Sequence, residues 1–347
     1  MYEHDFTESK NTSSCMSQDD NKFLSIVEAG VKFEDGHYEL PLPFRGDDVN
    51  LPNNRAQAIQ RVNAVKKRFE ADSCYKHDYT TFMNNVIDRG YAQLTVPSTS
   101  GWYVPHHGVY HPKKTGKIRV VFDCSSKCNG KSLNDQLLSG PDLTNSLVAV
   151  LTRFRQERTA MMADVESTFY QVRVAECHRK FLQFVWWPNG ETNADIGDYQ
   201  MTVHLFGATS STSCANFALR KTASDNEQRF GTEAAESLRQ NFYVDDLLKS
   251  VDNIPRAIDL MSAVKQMCAT GGVKLTKFVS NEQQVINSIP PEDRAENNDS
   301  IDLTQSMNVQ RALGVYWCVA SNCLEFRIVL QDKPLTRRRM LSTISSV

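Results

Sequence analysis

Apolar positions recur along the chain with two different periods, and the alternation between them sets the expected elements. After a polar, acidic start over residues 1–20, the stretch Ile26–Pro43 is strand-like and broken by Gly36, Pro41 and Pro43. Ala56, Ile59, Val62, Val65 and Phe69 then repeat at helical spacing behind Asn53 and Asn54, with basic residues on the opposite face. Tyr79–Gly90 reads as a second helix closed by its glycine. Residues 102–104, 108–110 and 118–122 are strand-like, the last two flanking the turn Lys113-Lys114-Thr115-Gly116. Leu143, Leu147, Val150, Leu151 and Phe154 predict a helix over 142–156. Further strands are expected at 159–165, 181–187, 199–205, either side of Asp245-Asp246, 273–279, and as a hairpin around Ser321-Asn322. Helices are expected at 210–223, 232–238 and 255–269. Several hairpins and the absence of strict βαβ alternation predict an α+β fold built on antiparallel sheet.

Composition narrows the class without choosing the chemistry. The 347 residues carry 39 basic and 41 acidic side chains, so any hold on a polyanion must come from a local patch. No apolar run approaches the roughly 20 residues of a membrane helix, and no apolar stretch follows the start as in a secretory leader. No membrane partner and a cytoplasmic location are therefore expected. Nine scattered cysteines, an odd number, fit reduced thiols; Cys124 and Cys128 lack the second pair that a zinc site needs.

Two acidic features stand out. Asp245 and Asp246 lie between apolar runs, where a hairpin turn is one explanation. Asp164 ends the apolar run Thr159–Ala163, where a helix cap is one explanation. If the two strands are neighbours, the three carboxylates meet at one end of a sheet. Oxygen ligands of that kind select Mg²⁺ or Mn²⁺, and a pair of such ions serves phosphoryl transfer.

The surrounding wording resembles a family. Phe242-Tyr243-Val244-Asp245-Asp246 resembles the Tyr-x-Asp-Asp box of reverse transcriptases. Met162-Ala163-Asp164 through Phe169-Tyr170-Gln171-Val172 resembles their first aspartate motif, and Leu205-Phe206-Gly207 the loop between the two. Lys117-Ile118-Arg119 through Asp123, followed by Leu133-Asn134-Asp135, is similar to their fingers. The order matches as well. His107-Gly108-Val109-Tyr110, Gly140-Pro141-Asp142-Leu143 and Lys277-Phe278-Val279-Ser280-Asn281 are similar to Bel/Pao long-terminal-repeat retrotransposons, over residues 25–347.

The resemblance implies a right-hand-like polymerase, with a primer on an RNA or DNA template and deoxynucleotide triphosphates as partners. Asp164, Asp245 and Asp246 are then the catalytic carboxylates holding two Mg²⁺ or Mn²⁺ ions. Arg119 and one of Lys113, Lys114 and Lys117 are implied to hold the triphosphate, Phe169 to lie under the sugar, and Phe206 and Gly207 to line the nucleotide pocket. Lys277 is implied near the leaving pyrophosphate; Tyr243, Leu313, Gly314 and Trp317 are implied to touch the primer. Its domains are expected as a disordered tail (1–24), a helical lead-in (25–100), fingers (101–160), a palm (161–290), and a linker, primer-grip hairpin and truncated thumb (291–347). That last part is expected to run into the start of the segment named for the Pao peptidase. Thr212 departs from the family, which places a proline there. The motifs carry no signal of oligomeric state. A virus-like particle or access to the nucleus is compatible with the family. The competing expectation is a decayed or domesticated fragment that binds nucleic acid without polymerising.

Overall fold

The computed structural model describes residues 16–98, 100–110, 118–295, 309–313, 315–319 and 321–325. Helices and mainly antiparallel sheets form two compact units, each assembled from three separated stretches of chain. The first comprises residues 1–144, 167–226 and 268–274; the second comprises 145–166, 227–267 and 275–347.

In the first unit, the expected tail is a helix from residue 18 onward. Gln18–Gly30 starts at a capping box in which the Ser17 hydroxyl accepts from Asp20 N–H and the Asp20 carboxylate accepts from Ser17 N–H. Its polar outer face hides an i, i+4 pair, Phe23 and Val27, buried against Tyr38, Leu40, Leu138 and Cys214. The tail and the strand expected from Ile26 are therefore corrected over Gln18–Gly30. Helices Arg55–Ala71 and Ser73–Asp88 follow, as the periodicity requires. Asn54 sits at the helix start, yet its amide caps nothing there. It brackets Tyr103, donating to its carbonyl and accepting from its N–H, both at 2.7 Å. Residues 102–104 thus form a single bridge, Tyr103 to Gln183, in place of a full strand.

Strands His106–Tyr110 and Ile118–Phe122 pair antiparallel, as the alternation predicts. Gln183–Trp186 pairs antiparallel with Gly197–Met201, which also pairs with Ala92–Thr95. The core of this unit is aromatic. Tyr79 stacks on Trp186, with ring centroids 5.4 Å apart, and its hydroxyl lies 2.5 Å from His106 Nδ1. The His106 Nε2–H donates to the Val185 carbonyl, so Nδ1 accepts from Tyr79. Complete burial holds His106 neutral, its pKa pushed down to about 4.

The second unit is organised by four strands, here β1 (Thr159–Val165), β2 (Phe242–Tyr243), β3 (Asp246–Val251) and β4 (Leu275–Ser280). Their spatial order is β2-β3-β1-β4, all antiparallel. Helix Leu147–Phe154 sends Val150 and Phe154 into a cluster with Met162, Leu248, Val279 and Trp317. It is shorter than the apolar stripe predicts. Asn145, just before it, donates its side-chain amide to the carbonyls of Arg239 and Phe242. The hairpin around Ser321-Asn322 is present as Val315–Cys318 paired with Cys323–Glu325, and Val309–Ala312 adds a third strand.

Candidate active site

β1 is buried along its length except at Asp164, which emerges half-buried at its end. Asp246, the first residue of β3, is its direct cross-strand partner. Directly opposed residues of an antiparallel pair put their side chains on one face, with Cα atoms about 4.5–5.5 Å apart. Tyr243 pairs with Asp246, so only Val244 and Asp245 close the hairpin between β2 and β3. A two-residue hairpin turn requires positive φ at its first central residue, and Val244 takes φ +57°. For a β-branched side chain this costs about 1–2 kcal/mol. The turn is held from the other side, where Val165 N–H donates to the Asp245 carbonyl at 2.9 Å.

The expected convergence of the two motifs on neighbouring strands is thus what the register shows. Burial, then the charges of Asp245 and Asp164, raise the Asp246 carboxyl to about 7; Lys277 opposes them. The ammonium of Lys277 forms an ion pair with Asp164.

This donor set fits a hard divalent cation. It is made of carboxylate oxygens, and Asp246 is raised first by burial and then by the charges of Asp245 and Asp164, which a cation would offset. Among the described residues no three or more His, Cys, Asp or Glu side chains are grouped so as to hold a metal ion by themselves. Mg²⁺ is commonly held by one or two carboxylates, with waters and substrate phosphates completing its shell, so an open set suits it.

A second cluster lies within the first unit. The rings of Phe169 and Phe206 meet edge-on with centroids 5.3 Å apart, and the Arg119 guanidinium lies 5.3 Å from the Phe206 centroid. Three residues assigned to the nucleotide from separate motifs therefore come together. Phe206 is 62% exposed, unusual for a phenylalanine, and presents its ring outward.

Gly207 has a packing role as well. A Cβ there would collide with the Phe122 carbonyl oxygen. The side-chain amide of Asn134 clamps the same loop, donating to the Gly207 carbonyl and accepting from Thr209 N–H. Gly207→Ala is expected to cost roughly 1–3 kcal/mol, because the clash is with backbone that cannot rotate away. Urea denaturation of the two proteins checks it; equal midpoints would show the loop to be loosely held.

Lys113, Lys114, Lys117 and Gly314 lie outside the described residues. Tyr243 is half-buried beside the aspartate turn. Leu313 packs on the core of its unit with φ +51°. Trp317 corrects the expectation of a primer contact. It is 0% exposed, meets Phe154 edge-on at 5.0 Å, and donates its indole N–H to Asn322. Strand alternation turns Val315 and Trp317 inward, leaving Tyr316 and Cys318 half-exposed. Two features were missed by the sequence reasoning: the Asn134 clamp, which lies inside a motif whose residues had no individual roles, and the Lys277–Asp164 pair.

Residues 111–278 match the family model described as reverse transcriptase (RNA-dependent DNA polymerase). The likeness to that family thus spans the two aspartate motifs and the strands between and around them, and covers just under half of the chain. No curated protein matches the chain. Among solved structures, the foamy viral protease-reverse transcriptase in complex with dsDNA is similar over 96% of this chain and 59% of that one, at 12% identity and TM-score 0.53. The dRH form of that protein with dsDNA is similar over 77% and 39%, at 13% identity and TM-score 0.53. The same viral protein with an RNA/DNA hybrid is similar over 79% and 30%, at 12% identity and TM-score 0.50. The chain thus spans less than two thirds of each of these proteins. At this identity the likeness concerns the polymerase fold, into which the α+β architecture falls. Among the described residues no helix is long and apolar enough to cross a membrane.

Proposed function

We propose that residues 111–278 are a reverse transcriptase domain and a working RNA-directed DNA polymerase, from the polyprotein of a Bel/Pao-type long-terminal-repeat retrotransposon. The observation that carries this reading is the register of the central sheet, which sets Asp246 opposite Asp164 with Asp245 in the adjoining turn. Asp164 and Asp245 would hold two Mg²⁺ or Mn²⁺ ions, with Asp246 the further carboxylate. Such ions supply activation of the primer 3′-hydroxyl and charge stabilisation of the leaving pyrophosphate. The buried strands hold the carboxylates in place before substrate arrives, so little reorganisation is needed.

Arg119, with Phe206 beneath its guanidinium, suits the triphosphate, because a planar fork matches phosphate oxygens. Lys113, Lys114 and Lys117, which precede it in sequence, would add point charges, and Gly207 would keep the pocket floor close to backbone. Tyr243, Leu313 and Gly314 would meet the primer end. The partners are then a primer on RNA or DNA template and deoxynucleotide triphosphates. The setting is cytoplasmic, with a virus-like particle or nuclear access at the stage of DNA synthesis.

Primer extension on an RNA template by the purified chain tests the proposal. Binding of primer–template without any extension, in Mg²⁺ and in Mn²⁺, would instead identify a fragment that holds nucleic acid only.

Phe169 gives the reading a finer test. It stands five residues beyond Asp164, half-buried, with its ring braced by Phe206. A bulky ring under the sugar leaves no space for a 2′-hydroxyl. Phe169→Ala is expected to cut discrimination against ribonucleotides roughly tenfold or more, the scale of a steric sieve, while deoxynucleotide use persists. A competition assay with both sugars measures it. An unchanged ratio would reduce Phe169 to a packing residue.

A further inference from the structure

Lys277 reaches Asp164 through an irregularity in β4. Leu275 pairs with Val165 and Thr276 with Asp164, but the next pair is Val279 with Met162. Lys277 and Phe278 therefore share the space opposite Ala163, as in a β-bulge. In a regular strand Thr276 would share the face of its partner Asp164, and Lys277 would point to the opposite face. The bulge puts Lys277 at φ +53° and re-aims its side chain, so its ammonium pairs with the Asp164 carboxylate. Neighbouring Thr276 holds the junction, its hydroxyl donating to the Asp164 carbonyl.

We infer that Lys277 is the resident counter-ion of Asp164, and that a divalent cation must displace its ammonium before Asp164 becomes a metal ligand. This rests on the reading of Asp164 as a ligand given above. Three observations support displacement over permanent pairing. Lys277 is 66% exposed and Asp164 only 25%, so the lysine is the mobile partner and can move into water without leaving a hole. A surface ion pair is weak, and a dication among several carboxylates outcompetes one ammonium. The left-handed backbone at Lys277, costly for a residue with a side chain, is what aims its ammonium at Asp164. The device keeps the carboxylate cluster partly neutralised while no metal is bound. It also frees an ammonium beside the site once metal, and the triphosphate that accompanies it, arrives.

The test measures Mn²⁺ binding to the full chain without nucleic acid, by the loss of the free-ion paramagnetic resonance signal. Lys277→Met is expected to bind Mn²⁺ at least about fivefold tighter than wild type, because the competing ammonium is gone. Lys277→Arg, which keeps a cation there, is expected to stay within about twofold. Lys249→Met, a charge removed from β3 that has no contact with Asp164, is also expected within about twofold. Equal affinity of wild type and Lys277→Met, or the same gain in Lys249→Met, would overturn the inference.

A second measurement needs no Lys277 variant. Acetylation of Lys277 by an amine-reactive ester, followed by mass spectrometry, is expected to accelerate about threefold on adding Mg²⁺ and to be fast without Mg²⁺ in Asp164→Asn. A rate that ignores saturating Mg²⁺ would overturn it. Primer extension with the same wild-type preparation separates the two levels. Extension without any Lys277 effect sinks only this inference; metal competition without extension sinks only the polymerase reading.

Discussion

Asp245→Asn is expected to abolish primer extension, by a factor of about 10³ or more, while leaving the protein at least as stable as wild type. The two halves of this result come from the same geometry. Asp246 is raised to about 7 by burial and by the charges of Asp245 and Asp164, so the folded protein carries a repulsion that the unfolded chain does not. Removing one of those charges relieves it, while the Asp245 carbonyl, which accepts from Val165, is untouched by a side-chain change. Melting temperature is expected to stay level or rise by about 2–4 °C. Primer extension and calorimetry on one preparation check both halves. A fall of several degrees together with lost extension would assign Asp245 to the scaffold.

The largest expected loss of stability lies away from the aspartates. Arg55→Met is expected to cost about 3 kcal/mol, within the range for stripping one partner from a buried ion pair. The Arg55 guanidinium donates through Nε and a terminal nitrogen to both oxygens of Asp198, each at 2.7 Å. Asp198 is 4% exposed and Arg55 32%, so the two substitutions are unequal. Losing the arginine strands a carboxylate away from water. Losing the carboxylate, as in Asp198→Asn, leaves a cation that still reaches solvent, and about 1–2 kcal/mol is expected.

The pH dependence should change sign between these proteins. In the wild type, burial pushes the Asp198 carboxyl up but the Arg55 hydrogen bonds outweigh it, and the pKa lies below the usual value. The stability this contributes is complete above the ordinary carboxylate pKa and is lost as pH falls through the lowered one. In Arg55→Met only the Tyr103 hydroxyl is left to oppose desolvation, the larger effect, and the folded pKa rises. The folded state then holds a proton that the unfolded chain has released, so stability declines as pH climbs above about 4. Denaturant midpoints from pH 3.5 to 6 would show it; parallel profiles for the two proteins would deny the pair its role.

The aspartates were legible in the sequence because each breaks a local rule. An acidic residue ending a buried run, and a doublet between strands, conflict with propensity, and such conflicts gather where chemistry is done. Lys277 was legible as a residue and not as a contact, since its direction depends on a bulge and a bulge leaves no compositional mark. Trp317 misled for the opposite reason. Its motif names an outward grip, but the parity of the strand puts it inside. The helix at Gln18–Gly30 was hidden by its polar outer face, although Phe23 and Val27 stand one turn apart. Asn54 sits where a helix cap is expected and Asn145 inside a stretch predicted to be helical, yet both bond backbone far along the chain, at Tyr103, Arg239 and Phe242. Long-range partners of that kind are set by tertiary structure and cannot be read from neighbours in sequence.

The interleaving of the two units bears on how the chain comes off the ribosome. Each unit has three stretches, six in all, so the polypeptide passes between them five times. The last stretch of the first unit is residues 268–274, and its Gly271 fits where a larger residue would strike Thr222. That unit therefore cannot close until most of the protein has been synthesised. At about 5–20 residues per second, its early helices wait roughly nine seconds or longer for their final partner. Stop codons placed before residue 268 should yield chains that chaperones retain, and neither unit can be excised by a single cut. Dissecting this protein into halves would require permuting its connectivity.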